Sequence, residues 1–196
     1  MIEIALCSLD DLEPTPWKNG GGTTCELLVY PEQGEFEWRL SLATIQHDGA
    51  FSTFDGLDRL FVPITGEPFA LTHGDACPQT SQRVGEVHRF DGEWPTRAES
   101  VIGEVCVLNV MTRRGRWRAT VEWLGARPAR FALESEHSVL LVVKGSASGR
   151  VSGEEDPVEL GPRTALWLSE PERGDELILD ETNGGFAAVL VELRSA

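Results

Sequence analysis

Residues 17–30 read WKNGGGTTCELLVY, placing an indole, an amine and an amide directly ahead of three glycines and two threonines. Glycine lets backbone N–H groups converge on an anion because no Cβ stands in the way. The order excludes a phosphate loop, since Lys18 precedes Gly20 and the continuation is rich in strand formers. It excludes a dinucleotide fingerprint as well, because Gly20 to Cys25 lacks the last glycine and no strand leads into it. What remains is a glycine-rich corner ringed by donors. Trp17 offers an aromatic wall, Lys18 a positive charge, Asn19 an amide, and Gly20, Gly21, Gly22 and Thr23 a cluster of N–H and O–H groups. A planar unsaturated acid suits that set. A capped β-turn with the tryptophan tucked into the core accounts for the same residues structurally.

Other groups could complete such a site. Arg39 supplies a fork for bidentate carboxylate recognition, and Ser41 follows it two residues on, on the same side of an extended chain. Asn109, Met111 and Arg113 share one face of a second extended run, so they could line a cavity, although a methionine there also reads as core. Asp58 and Arg59 fit a ligand contact or a structural ion pair, with Arg114 facing solvent. Phe51 and Phe54 could form a lid or staple their loop to the body.

Catalytic constellations are scarce. His47, His73, His88 and His137 stand apart, with no i, i+2 pair on a strand to share one ion, so neither a metal nor another cofactor is expected. Each reads as a surface or structural histidine. There is no GxSxG elbow, and no Ser or Cys has a recognisable base nearby in sequence. Acid–base work by Lys18, Glu26 and Asp58 is the enzymatic alternative. Cys7, Cys25, Cys77 and Cys106 are scattered without a CxxC pair and read as reduced thiols, Cys106 in the core and Cys77 in a loop.

The elements that must position these residues are strands. FEWRLSLAT alternates strictly, Phe36, Trp38, Leu40 and Leu42 against Glu37, Arg39, Ser41 and Ala43, which predicts a half-buried strand. RWRATVEWL alternates in the same way. FVPIT, CVLNVM, SVLLVV, TALWL, ELILD and AAVLVEL are short apolar runs rich in β-branched residues and bounded by Gly, Pro or acids. LFVPITGEPFAL and VLLVVKGSASGRV both read as strand, glycine turn at Gly66 or Gly145, and returning strand, a weak internal repeat. No dozen residues show a 3.6-residue period. The prediction is an all-β protein of two small barrels or sandwiches, 1–115 and 116–196.

At 196 residues the chain can bury a substantial core, and its net charge of −15 repels a phosphate backbone, so no nucleic-acid partner is expected. The first residues, MIEIALCSLDDLEP, show neither a basic stretch nor a sustained apolar one, and no 18 consecutive apolar residues occur. A cytoplasmic protein without a membrane partner is expected.

PWKNGGGTTCEL, WRLSLATI, DGAFSTFDGLDR, RFDGEWPT and VLNVMTRR follow in the order of the recurring motifs of the HutD/Ves family, which the first two thirds of the chain resembles. The resemblance implies a bicupin, a regulatory role in bacterial histidine utilisation, and a pocket for a small acid such as urocanate or formiminoglutamate. A homodimer or a regulatory protein is the protein partner expected beside the small acid. The chain departs from the family pattern at Cys25, where many relatives carry arginine, and at Val107, where they often carry aspartate.

Overall fold

The computed structural model describes residues 2–74, 79–125, 129–154 and 156–196, which leaves Cys77 outside the described residues. In chain order the strands begin with β1 (Glu3–Ser8), β2 (Thr15–Pro16), β3 (Gly22–Tyr30), β4 (Trp38–Ile45), β5 (Gly49–Ala50) and β6 (Leu57–Thr65). They continue with β7 (Phe69–His73), β8 (Thr80–Gln82), β9 (His88–Asp91), β10 (Thr96–Glu99), β11 (Val105–Arg113) and β12 (Trp117–Leu124). The last are β13 (Ala129–Ala132), β14 (His137–Val151), β15 (Val158–Leu160), β16 (Thr164–Ser169) and β17 (Glu176–Ser195). One short 3₁₀ turn, Leu9–Asp11, is the only helical element among the described residues, and no helix there is long and apolar enough to cross a membrane. Cys7, Cys25 and Cys106 are not joined in disulfides.

The chain divides into two compact units, 12–118 and 1–11 with 119–195. Residues 1–11 leave the half to which the division at 115 assigns them, because β1 pairs antiparallel with β16 from Glu3↔Ser169 to Ser8↔Thr164. In the unit 12–118 a six-stranded sheet in the order β2-β3-β4-β11-β6-β9 faces a four-stranded sheet β5-β10-β7-β8. Ala43, Ile45, Phe61, Phe90, Val105 and Val107 from the first sheet and Phe69, Leu71 and Ala98 from the second form one buried cluster, a sandwich core. Val107 is fully buried in it.

The other unit is a seven-stranded sheet, β1-β16-β14-β17-β12, with β13 on β17 and β15 on β14. Its core holds Leu140, Val142, Leu166, Leu168, Leu177, Leu179, Phe186 and Leu190, among others. Here one sequence expectation fails. Gly145 does not turn the chain between two strands but lies inside the 15-residue β14, where the pairing with β17 slips between Val142 and Ser146. Its φ of +71° and an absent Cβ, which would stand 2.2 Å from the Asn183 carbonyl, make it a bend in a continuous strand.

The alternation of FEWRLSLAT holds. Trp38, Leu40 and Leu42 are buried on one face of β4, with Arg39, Ser41 and Ala43 on the other. The second face is covered too, so β4 is buried on both sides rather than one, and Ser41 is only 1% exposed.

Candidate functional site

The pairing of three central strands places six side chains of the covered face in a grid. Antiparallel register sets Arg39 of β4 opposite Met111 of β11 and Met111 opposite Arg59 of β6; the next row reads Ser41, Asn109, Phe61. Side chains opposed in this way have Cβ atoms about 4.5–5.5 Å apart. Above the grid lies a cavity of about 450 Å³, lined by these residues and by Ala43, Ile45 and Thr24. Its remaining wall comes from Pro16 to Asn19 and from the segment Ala50 to Phe54.

Two guanidinium groups share this space, and neither forms an ion pair within 4 Å among the described residues, although the Glu26 carboxylate acts on Arg39 from further away. Arg59 is 4% exposed; its Nε and Nη2 donate to Asn109 Oδ1 at 3.3 and 3.2 Å, and its Nη1 donates to the Ser52 carbonyl at 3.4 Å. Burial, with the nearby Arg39 charge adding to it, lowers its pKa to about 10, which still leaves it protonated at neutral pH. Arg39 donates through Nη2 to Met111 Sδ at 3.4 Å, while its buried Nε and the buried Ser41 Oγ have no hydrogen-bond partner. Burial lowers the Arg39 pKa, and Glu26 acts the other way. Aromatic faces hold both cations: Arg39 lies 5.0 Å from the Phe36 ring and 5.4 Å from Phe54, and Arg59 lies 4.8 Å from Phe90 and 5.6 Å from Phe54.

The glycine motif shapes the rim rather than donating to the cavity. Trp17 Nε1 donates to Thr24 Oγ1 at 2.7 Å, its ring meets Phe51 edge-on at 5.9 Å, and Asn19 is tied to Gly21 N and to the Ala50 carbonyl. Gly20 takes a φ of +71°, and a Cβ on Gly22 would stand 2.1 Å from the Thr44 carbonyl. The glycines are therefore what the local path requires to carry Trp17, Lys18 and Asn19 to the cavity.

Of the residues singled out in the sequence, Trp17, Lys18, Asn19, Arg39, Ser41, Arg59, Asn109 and Met111 are brought together at the cavity. Gly20, Gly21, Gly22, Thr23, Asp58 and Arg113 do not line it. Asp58 and Arg59, adjacent on a strand, point to opposite faces. Asp58 receives Arg114 Nε at 2.7 Å, and Arg114 also binds Glu93 at 2.8 Å, so it joins an ion cluster instead of facing solvent alone. These Arg114 bonds and one from Gly56 N hold Glu93 down at about 2. Arg113 Nη2 pairs with Glu35 at 3.3 Å. The Lys18, Glu26 and Asp58 constellation is not assembled, as only Lys18 reaches the cavity. Phe51 and Phe54, the lid or staple candidates, line the cavity as well, and Thr24, Ser52 and Phe61 are lining residues that were not singled out; the period-2 pattern through Arg59 could have found Phe61.

Two histidines that stand apart in sequence meet in space. His73 Nε2 and His88 Nε2 are 2.8 Å apart, bridging β7 of one sheet and β9 of the other, and His73 Nδ1 contacts Thr96 Oγ1 at 2.8 Å. Burial lowers both pKa values; for His73 the neighbouring His88 and Arg59 add to it. His137 is likewise buried, not superficial, and its Nδ1 meets Ser169 Oγ at 3.0 Å. Among the described residues no group of three or more His, Cys, Asp or Glu is placed to hold a metal ion.

Fold and pocket together define a cupin-type all-β protein with a cationic, aromatic-walled cavity. A cupin 2 conserved barrel domain protein from Leptotrichia buccalis superposes with a TM-score of 0.62 at 8% identity over 97% of this chain and 96% of that one, a likeness of fold alone. The chain belongs to the HutD family, which residues 9–186 match. A Pseudomonas putida relative, described as an uncharacterized 21.2 kDa protein in the hutC 3′ region, is 32% identical over 198 residues, 100% of both chains. Protein Ves of Cronobacter sakazakii is 38% identical over 106 residues, covering 54% of this chain and 58% of that protein. HutD from Pseudomonas fluorescens SBW25, solved in a formate condition, superposes with a TM-score of 0.83 at 26% identity, covering 99% and 100% of the two chains.

Proposed function

We propose that this protein binds a small carboxylate in the Arg39–Arg59 cavity and serves histidine utilisation as a metabolite-responsive regulator rather than as an enzyme. The observation that carries this reading is a pair of guanidiniums, Arg59 buried and Arg39 partly buried, with no ion-pair partner among the described residues, beside two buried polar atoms that lack hydrogen bonds, Arg39 Nε and Ser41 Oγ. Leaving such groups buried and unpaired is costly, and an acceptor-only anion is the chemistry that satisfies both. Trp17, Phe51 and Phe54 offer faces for a planar body. Charged hydrogen bonds contribute about 1.5–3 kcal/mol each, which places a small acid in the roughly millimolar range or tighter.

The cavity lining includes no carboxylate, imidazole or thiol, so Lys18 has no second acid–base group beside it there. Family membership, the hutC-region relative and the formate condition of the P. fluorescens structure direct the choice of candidates toward urocanate, formiminoglutamate and formate. Ligand occupancy would then act by sequestering a metabolite or through a protein partner, the net charge of −15 disfavouring DNA. A thermal-shift screen against these acids, histidine, glutamate and dicarboxylates tests the reading. Ligand at about 100 times its Kd adds about 2.7 kcal/mol, a shift of several degrees. No shift with any acid would refute carboxylate binding.

A further inference from the structure

Arg59 and Arg39 occupy symmetrical places on either side of Met111, yet their hydrogen-bonding states differ. Arg59 directs three donations to the protein, two of them to the single oxygen Asn109 Oδ1. Arginine has donors only, so the Asn109 atom that faces it is the carbonyl oxygen. The Asn109 NH₂ is thereby left as the free end, and it makes no hydrogen bond among the described residues. Asn109 stands directly opposite Ser41, one step along the face from Arg39, and all three line the cavity.

Resting on the carboxylate-binding reading, we propose that Asn109 makes this pocket select an ionised carboxylate over its uncharged amide, and that Arg59 is the positioning residue that sets Asn109 to do so. With its oxygen held by Arg59, Asn109 can only donate into the cavity, beside the Arg39 donors. A carboxylate presents two acceptors to that wall. A primary amide must turn one NH₂ toward donors, and neither Arg39 nor the fixed Asn109 can accept it. Ser41, which can donate or accept, offers the amide one partner at most. Arg59 thus contributes field and orientation, and Arg39 contributes the contact.

The test is a calorimetric titration of the full chain with the best-bound acid of the screen and with its primary amide. Wild-type protein, Asn109→Asp, Arg59→Lys and Arg39→Met are compared, each with a melting curve. Two charged hydrogen bonds set the expected wild-type preference for the acid at about a hundredfold or more. Asn109→Asp keeps an oxygen for Arg59 and gives that buried cation a counter-ion, so it should melt at or above wild type. Its second oxygen meets the ligand where an NH₂ stood, so the acid weakens by about a hundredfold while the amide gains. Arg59→Lys, with a point charge in place of the fork, should lower the acid-to-amide ratio even where it folds less stably. An Asn109→Asp protein that keeps the wild-type preference, while Arg39→Met loses the acid, overturns this inference and leaves the binding reading standing. An Arg39→Met protein that binds as wild type, or a wild type that takes no acid, overturns the binding reading and this inference with it.

Discussion

Replacing Arg39 by methionine separates a ligand-binding cation from a structural one. In the free protein the substitution removes a buried, partnerless Nε, a group whose desolvation costs about 1–3 kcal/mol. It also removes the cation–π contacts with Phe36 and Phe54, worth about 0.5–2 kcal/mol. Methionine returns about 0.3–1.5 kcal/mol of sulfur–aromatic contact from nearly the same length of side chain. Taken at the middle of each range, these terms leave about 1–2 kcal/mol in favour of the variant. At about 2–4 °C per kcal/mol for a chain of this size, Arg39→Met should melt about 2–8 °C above the wild-type temperature. In the presence of a bound acid the order reverses, because each charged hydrogen bond lost weakens binding about 10–150-fold. Differential scanning fluorimetry with and without the acid, followed by calorimetric titration, reads both quantities. A variant that melts several degrees lower without ligand and still takes the acid at wild-type affinity would refute the reasoning, since Arg39 would then be part of the structure and not of the site.

Two further outcomes follow from the same geometry. His73, His88 and His137 are held below the usual imidazole pKa by burial, so folding favours their neutral forms. Their contribution is complete above the unfolded pKa of about 6.5 and is lost as pH falls through the depressed folded values. Melting temperature should therefore drop between about pH 7 and 5, and less steeply in a His73→Gln, His88→Gln double variant; parallel curves would contradict this. Gly22→Ala drives a Cβ to 2.1 Å from the Thr44 carbonyl and 3.3 Å from the Trp17 ring. It should cost about 1–3 kcal/mol and weaken acid binding through displacement of Trp17, whereas Gly161→Ala, facing open space, should change neither.

Much of the pocket was legible because a strand has period 2. That rule alone places Arg39 beside Ser41 and Asn109 beside Met111, and the structure brings all four to one cavity. The same rule, applied to Asp58 and Arg59, separates them, although side-by-side charges invite pairing; Arg114, 56 residues downstream, takes Asp58 instead. Arg113 extends the Asn109–Met111 series, but at the end of β11 it reaches Glu35 on the neighbouring chain segment. The glycine motif was legible as a special backbone path and not as a set of donors. What Gly22 must avoid is a carbonyl on another strand, which no local pattern reports. His73 and His88 lie on strands of different sheets, so their contact depends on how the sheets close, not on spacing within a strand. Gly145 carries the same lesson, since a positive φ fits a bulged, bent strand as well as a turn.

The central claim is that an acid sits on the donor wall of β4 and β11. A crystal structure of the protein with the acid giving the largest thermal shift tests it most directly. A carboxylate is expected within hydrogen-bonding distance of Arg39 Nε, Ser41 Oγ and Asn109 Nδ2, with Arg59 still holding Asn109 Oδ1. An acid bound elsewhere, with Arg39 Nε and Ser41 Oγ left as they are, would contradict it.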